Sequence, residues 1–215
     1  MALISHLKNK FSLSQYFMQI DMLNDWFKSC FLELNVSRTK ELIFGSRNDN
    51  NTNRCMQIEL NGQKVEVVDS FKYLGTVVDQ KLTFTQHVDF VFKKAQQRLF
   101  LLRKLKHFSV SQGILYRSLI ESILAFNIVT WFGVLTVRNK ASLSRIVNTA
   151  SKVIGCSKIP LSDVYAKAIK RKASQIIADS AHPLHPLIRR LSSGRHFRVP
   201  LARTTATRNH LFQVP

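Results

Sequence analysis

The chain has 215 residues, of which 45% are hydrophobic and 10% aromatic, enough to bury a core and to exclude disorder throughout. Its 32 Lys and Arg against 13 Asp and Glu give a formal charge of +19, and the excess is one-sided: residues 1–90 hold 10 basic and 10 acidic side chains, residues 91–215 hold 22 and 3. So cationic a half repels itself unless it meets a polyanion, and nucleic acid, bound by neutralising phosphates, is the polyanion expected.

Cys30, Cys55 and Cys156 form no close pair, which excludes a disulfide framework and a zinc module and suits a reducing intracellular setting, nuclear or cytoplasmic. The opening "MALISHLKNKFSLSQ" has neither the basic start nor the apolar centre of a secretory signal. The uncharged run "SILAFNIVTWFGVLTV" at 122–137 is shorter than the ~20 residues that span a bilayer. It reads as a buried helix, and no membrane partner is expected.

In chain order, Tyr16, Ile20, Leu23, Phe27 and Phe31 fall on one face of an amphipathic helix. A turn at "NVSRTK" leads to a strand through Leu42, Ile43 and Phe44, ended by Gly45, and polar residues 46–54 read as a loop. Ile58 and Leu60 alternate before Asn61-Gly62, and Val65 and Val67 after it. Both positions of such a turn need positive φ, which makes Asn-Gly a strong hairpin signal. Phe71, Tyr73 and Leu74 continue the sheet to Gly75, and a second short strand follows.

From Phe84 the period becomes helical, with Val88, Val91, Ala95, Leu99, Leu102 and Leu105 on one stripe and Lys93, Gln97 and Lys104 on another. Ser109 and Gln112 have capping-box spacing before a helix running through Phe132. A third helix carries Leu143, Ile146, Val147, Ala150 and Ile154 and stops at Gly155. A fourth starts near Ser162 and presents Lys167, Lys170, Arg171 and Lys172, and an extended basic tail follows Asp179. The expected fold is therefore α+β: a small antiparallel sheet with one helix over 1–82, a basic helical bundle over 83–179 and a Pro/Arg/His-containing tail over 180–215.

Candidates for chemistry are few. His87 and Asp89 have the H-x-D spacing of an iron-binding facial triad, but both fall at the start of a helix rather than on a barrel. His182 and His185 in "HPLHP" read as turn residues rather than metal ligands. No phosphate-binding glycine loop, nucleophile elbow or paired carboxylates stand out, so no metal and no catalytic residue is expected.

The ordered segments "FLELNVSRTKELIF", "VEVVDSFKYLGTVVDQKLTF", "VDFVFKKAQQRLFLLRKL" and "SRIVNTASKVIG" resemble the C-terminal part of reverse transcriptases of non-LTR (LINE-type) retrotransposons, over essentially the whole chain. That resemblance implies a palm-end motif at Asn35, Arg38, Thr39 and Lys40, and a primer grip at Phe71, Lys72, Tyr73, Leu74 and Gly75. A basic thumb would close on a template–primer duplex, with Lys93, Lys94, Arg98, Arg103, Lys104, Lys167, Lys170, Arg171 and Lys172 touching nucleic acid, an RNA–DNA hybrid or RNA, without sequence preference. In that family the carboxylates that hold magnesium lie upstream of the matching segment, in palm and fingers parts absent from this sequence. The expectation is therefore a truncated, catalytically inactive polymerase fragment with no cofactor of its own. Arg38 stands where the family carries a lysine, and an arginine does not give up its proton.

Residues 65–105 are also similar to what is called the N-terminal domain of the eighth AlkB homologue, an alkylated-DNA-repair protein. That label implies 2-oxoglutarate dioxygenase and methyltransferase activity, and is the alternative reading. Neither an oxygenase barrel nor a methyl-donor glycine loop accompanies it in the sequence.

Overall fold

The computed structural model describes residues 2–7, 10–44, 58–108, 110–155, 159–188 and 192. The class is α+β, helix-rich with short strands. The chain divides into two compact units, Met1–Phe71 with Asp79–Lys81, and Lys72–Val78 with Leu82–Pro215.

In the first unit α1 (Lys10–Ser29) turns Ile20 into a small core with Val36, Ile58, Leu60 and Val65, and Tyr16, Phe17 and Leu34 pack at its edge. The periodicity locates this face correctly up to Phe27. Phe31, expected on it, lies beyond the last helical turn with φ 56° and is almost fully exposed. The Asn61-Gly62 turn forms as its sequence requires, with φ of 50° and 75°, and joins β2 (Glu59–Leu60) to β3 (Gln63–Lys64) with Leu60 opposite Gln63.

Two strand expectations change. The strand expected at Leu42–Phe44 is instead β1 (Lys40–Glu41), and Ile43 and Phe44 are exposed. Its partner is β4 (Glu66–Val67) in parallel, with Lys40 opposite Glu66, so the Val65/Val67 alternation ends after Val65. The sheet is thus not one antiparallel surface. Among the described residues it is three two-stranded pieces, the third formed by β5 (Ser70–Tyr73) and β6 (Thr76–Asp79). The loop expected at 46–54 lies outside the described residues, as do Gly45, Ser109 and all of 193–215 in the expected tail.

The second unit is built round α2 (Thr85–Leu105), α6 (Val137–Ile154) and α7 (Leu161–Ala178). Val88, Val91, Ala95, Leu99 and Leu102 of α2 meet Leu143, Ile146, Val147, Ala150 and Ile154 of α6, as their spacing predicts. Thr136 caps α6, its Oγ1 accepting from the Asn139 N–H at 3.2 Å, and Gly155 ends it at φ 71°. The long helix expected between them is broken. It opens at Ser111, whose side chain makes no cap bond, as α3 (Gln112–Tyr116), widens to a π-turn over Arg117–Glu121, and ends as α4 (Ser122–Leu124). It restarts as α5 (Ile128–Trp131) after Asn127, which stands in the left-handed region at φ 50°. The break is held by side chains: Asn127 Nδ2 donates to Thr76 Oγ1 at 3.0 Å and Trp131 Nε1 donates to the Phe126 carbonyl at 3.0 Å. Among the described residues no single helix is long and apolar enough to cross a membrane.

Candidate nucleic-acid interface

On α2 a spacing of four puts Phe90, Lys94 and Arg98 on one ridge. The Phe90 ring holds two ammonium groups, Lys94 Nζ at 4.7 Å from its centroid and Lys72 Nζ of β5 at 4.5 Å. Arg98 reaches the π-turn, where its Nη1 donates to the carbonyls of Ser118 (3.2 Å) and Leu119 (3.3 Å) and to Ser122 Oγ (3.3 Å). A widened turn misaligns its carbonyls, and Arg98 satisfies two of them.

Lys72, Lys94 and Arg98 line an open pocket of ≈ 250 Å³ with Gly75, His87, Phe90, Val91, Ser122, Ile123 and Phe126. Among the described residues no acidic side chain lines it, and none of the three cations is ion-paired. Gly75 fits its wall for two reasons: its φ is +87°, and a Cβ there would lie 3.0 Å from the Phe126 ring.

His87 forms part of the same wall and is 1% exposed. Its Nδ1 accepts from the Val77 N–H at 3.3 Å, which leaves Nε2 as the N–H donor, buried and, among the described residues, without a partner. The ring meets Trp131 edge-on, with centroids 5.3 Å apart. Burial first, and the Lys72 charge second, hold the imidazole below its ordinary value of 6.5 and keep it neutral. Asp89, two residues on, is exposed on another side of α2. The H-x-D pair therefore does not converge on one metal, because residues two apart on a helix point apart.

The grip-like residues are divided between the units, Phe71 in the first and Lys72–Gly75 in the second. Leu74 and Gly75 make the β5–β6 turn, both at positive φ. Of the nine cations expected to touch nucleic acid, Lys94 and Arg98 join the pocket. Lys93, Arg103 and Lys104 are exposed elsewhere along α2, with Lys104 over Phe100 at 5.7 Å. Lys167, Lys170, Arg171 and Lys172 are exposed on α7, which packs against α5 and α6.

The palm-end-like residues are engaged within the first unit. Asn35 caps the turn Val36–Arg38, its Oδ1 accepting from the Arg38 N–H at 3.1 Å, and Thr39 Oγ1 donates to the Asn35 carbonyl at 3.0 Å. Lys40 is paired with Glu66 and donates to the Ser37 carbonyl at 2.9 Å. His182 and His185 shape the "HPLHP" turns, with His182 Nδ1 accepting from the Leu184 N–H at 3.1 Å. The sequence reading missed Phe90, Phe126 and His87 as parts of a basic pocket. The i, i+4, i+8 spacing of Phe90, Lys94 and Arg98 was the available signal for the first of these.

Comparison with known proteins yields two partial likenesses. Residues 84–122, which carry α2 and the start of the broken helix, match the family described as "Alkylated DNA repair protein alkB homolog 8, N-terminal". The chain is also 29% identical over 69 residues to an RNA-directed DNA polymerase from the mobile element jockey of Drosophila melanogaster. That match covers 32% of this chain and 7% of the polymerase. The chain is thus distantly similar to a LINE-type polymerase over a third of its length. No solved structure matches it.

Proposed function

We propose that this chain binds nucleic acid without sequence preference, as a thumb-like part of a retrotransposon polymerase that rests on the phosphates of a template–primer duplex. One observation carries the reading: Lys72, from the turn that resembles a primer grip, is held beside Lys94 of α2 on a single ring, in a pocket wall without acids. The distant polymerase likeness and the 22 cations against 3 acids in residues 91–215 support it. Exposed Lys and Arg on α2 and α7 then supply contacts to phosphate that carry no base information.

The same residues bind rather than catalyse in this reading. Two-metal phosphoryl transfer needs converging carboxylates, and the three acids past residue 90 are on the π-turn (Glu121), the first turn of α7 (Asp163) and its C-cap (Asp179). The test is affinity for an RNA–DNA hybrid across a salt series, with and without Lys93→Glu and Lys94→Glu, beside a primer-extension assay. The expected result is steep salt dependence whose log–log slope flattens by about 2 in the double variant, since each phosphate contact contributes about 0.9. Unaltered slope in the variant overturns the interface, and extension of a primer by the chain alone overturns the division of labour.

A further inference from the structure

We infer that the pocket between the β5–β6 turn, α2 and the break after α4 is a binding site for a phosphate monoester, the terminal phosphate of a nucleic-acid strand or a small free phosphate. This goes beyond duplex contact, in which internal diesters lie along an exposed cationic face.

The donors favour a terminal phosphate over an internal one. A diester offers two free oxygens and one charge, a monoester three oxygens and close to two charges. Lys72 and Lys94 present ammonium groups positioned by Phe90. Arg98 commits only Nη1 to the protein, so Nε and Nη2 make no hydrogen bond to any described residue and remain as a two-pronged donor. Ammonium, ammonium and fork match three oxygens. Among the described residues no carboxylate lines the pocket to supply a counter-charge. Three cations gathered round one depression repel one another until an anion enters it.

The wall limits the group attached to the phosphate. Phe90, Ile123 and Phe126 give apolar surface for a sugar or base edge, and the ≈ 250 Å³ of space is below the about 300–1,000 Å³ of cavities that enclose drug-sized ligands. It suits a headgroup whose remainder stays outside. Beneath it His87, uncharged and with its Nε2–H unpartnered among the described residues, backs the anion site without adding a competing carboxylate.

The experiment is titration calorimetry of the full chain at low salt with three probes: inorganic phosphate, a single-stranded oligonucleotide with a 5′-phosphate, and the same oligonucleotide with a 5′-hydroxyl. The His87 ring resonance reports occupancy. Saturable one-to-one phosphate binding that moves this resonance is expected. Lys72→Gln and Lys94→Gln should each weaken it about tenfold, the loss of one charge-assisted contact. Lys64→Gln on the Asn61-Gly62 hairpin, exposed and outside every proposed contact, should leave it unchanged. Both pocket lysines are exposed, so their glutamine variants retain the fold, checked by an unchanged melting midpoint. Preference for the 5′-phosphorylated strand over inorganic phosphate assigns the site to a strand end, and equal affinity assigns it to a free phosphate. Equal binding of phosphorylated and hydroxyl strands, together with a Lys94→Gln effect no larger than that of Lys64→Gln, overturns the site. That result leaves the duplex reading standing, since salt-steep hybrid binding does not need a terminal phosphate.

Discussion

Gly75 and His87 are the two residues whose chemistry is most constrained by the pocket. Gly75 has φ +87° and faces the Phe126 ring, so Gly75→Ala places a β-carbon in a left-handed backbone and also displaces an aromatic wall. A loss of about 1–2 kcal/mol is expected from the backbone alone, read by urea unfolding, and an unchanged midpoint would contradict the strain. The His87 prediction is one of pH. Its folded-state value is lowered by burial and by Lys72, so between that value and the ordinary 6.5 the unfolded chain binds a proton that the folded chain does not. Stability is therefore full above 6.5 and falls as pH drops through 6.5 toward the lowered value. Glu41, buried in the first unit, has the opposite sign. Burial raises its value above 4.5, so its contribution falls as pH rises through the window above 4.5. Replacing His87 by Phe should remove the loss below 6.5 and leave the Glu41 trend, as followed by melting midpoints from pH 5 to pH 8. A slope below 6.5 that survives the substitution would show that another group causes it.

At the scale of elements, stability depends on terminators and breaks as much as on faces. Thr136→Ala removes the acceptor of the Asn139 N–H at the start of α6 and should cost about 1 kcal/mol, measured by denaturant midpoint, with no change in helix end at Gly155. A cost near zero would mean that solvent replaces the cap fully. What the sequence reveals of these elements divides along a physical line. α2 and α6 are legible because a stripe of apolar side chains, six in α2 and five in α6, repeats at helical spacing, and the Asn61-Gly62 turn because positive φ at both positions leaves few residues to choose from. The break after Leu124 is not legible. "SILAFNIVTWF" is uncharged throughout and has no Pro or Gly to stop it, and the bonds that stop its helix come from Thr76, 51 positions away from Asn127, and from the Phe126 carbonyl. The strands fail for a related reason. Two-residue pairings such as Lys40–Glu66 are set by partners distant in sequence, while Leu42–Phe44 has strand composition without a partner strand among the described residues. The site obeys the same rule: Lys94 and Arg98 are visible as a helical ridge with His87 on the same helix, but their meeting with Lys72 depends on a turn about twenty residues earlier.

At the scale of the whole molecule, the two units carry unequal cores and unequal charge, the first balanced and the second strongly cationic. Among the described residues the first buries Ile20, Val36, Ile58, Leu60 and Val65, whereas the second buries a continuous cluster from Phe84 to Tyr165 that includes Trp131, Leu102 and Leu143. Because opening free energy scales with buried apolar contact, the chain should not open as one uniform body. Amide hydrogen exchange should show Val65 and its hairpin exchanging at a lower free energy than Val91, Ala95 and Leu143. Two substitutions separate the units further. Val65→Ala should speed exchange in the hairpin and leave α2 and α6 protected. Leu143→Ala, a large-to-small change at a fully buried position, should lower the protection of α2 and α6 together by about 2–5 kcal/mol. Uniform protection across both units, or loss of α2 protection in Val65→Ala, would show a single cooperative structure instead. The distinction bears on function because the cationic excess belongs to residues 91–215, which lie in the unit with the larger core. A polyanion bound there stabilises that unit through linkage, so exchange protection of α2 should rise with added RNA–DNA hybrid while the Asn61-Gly62 hairpin keeps its rate.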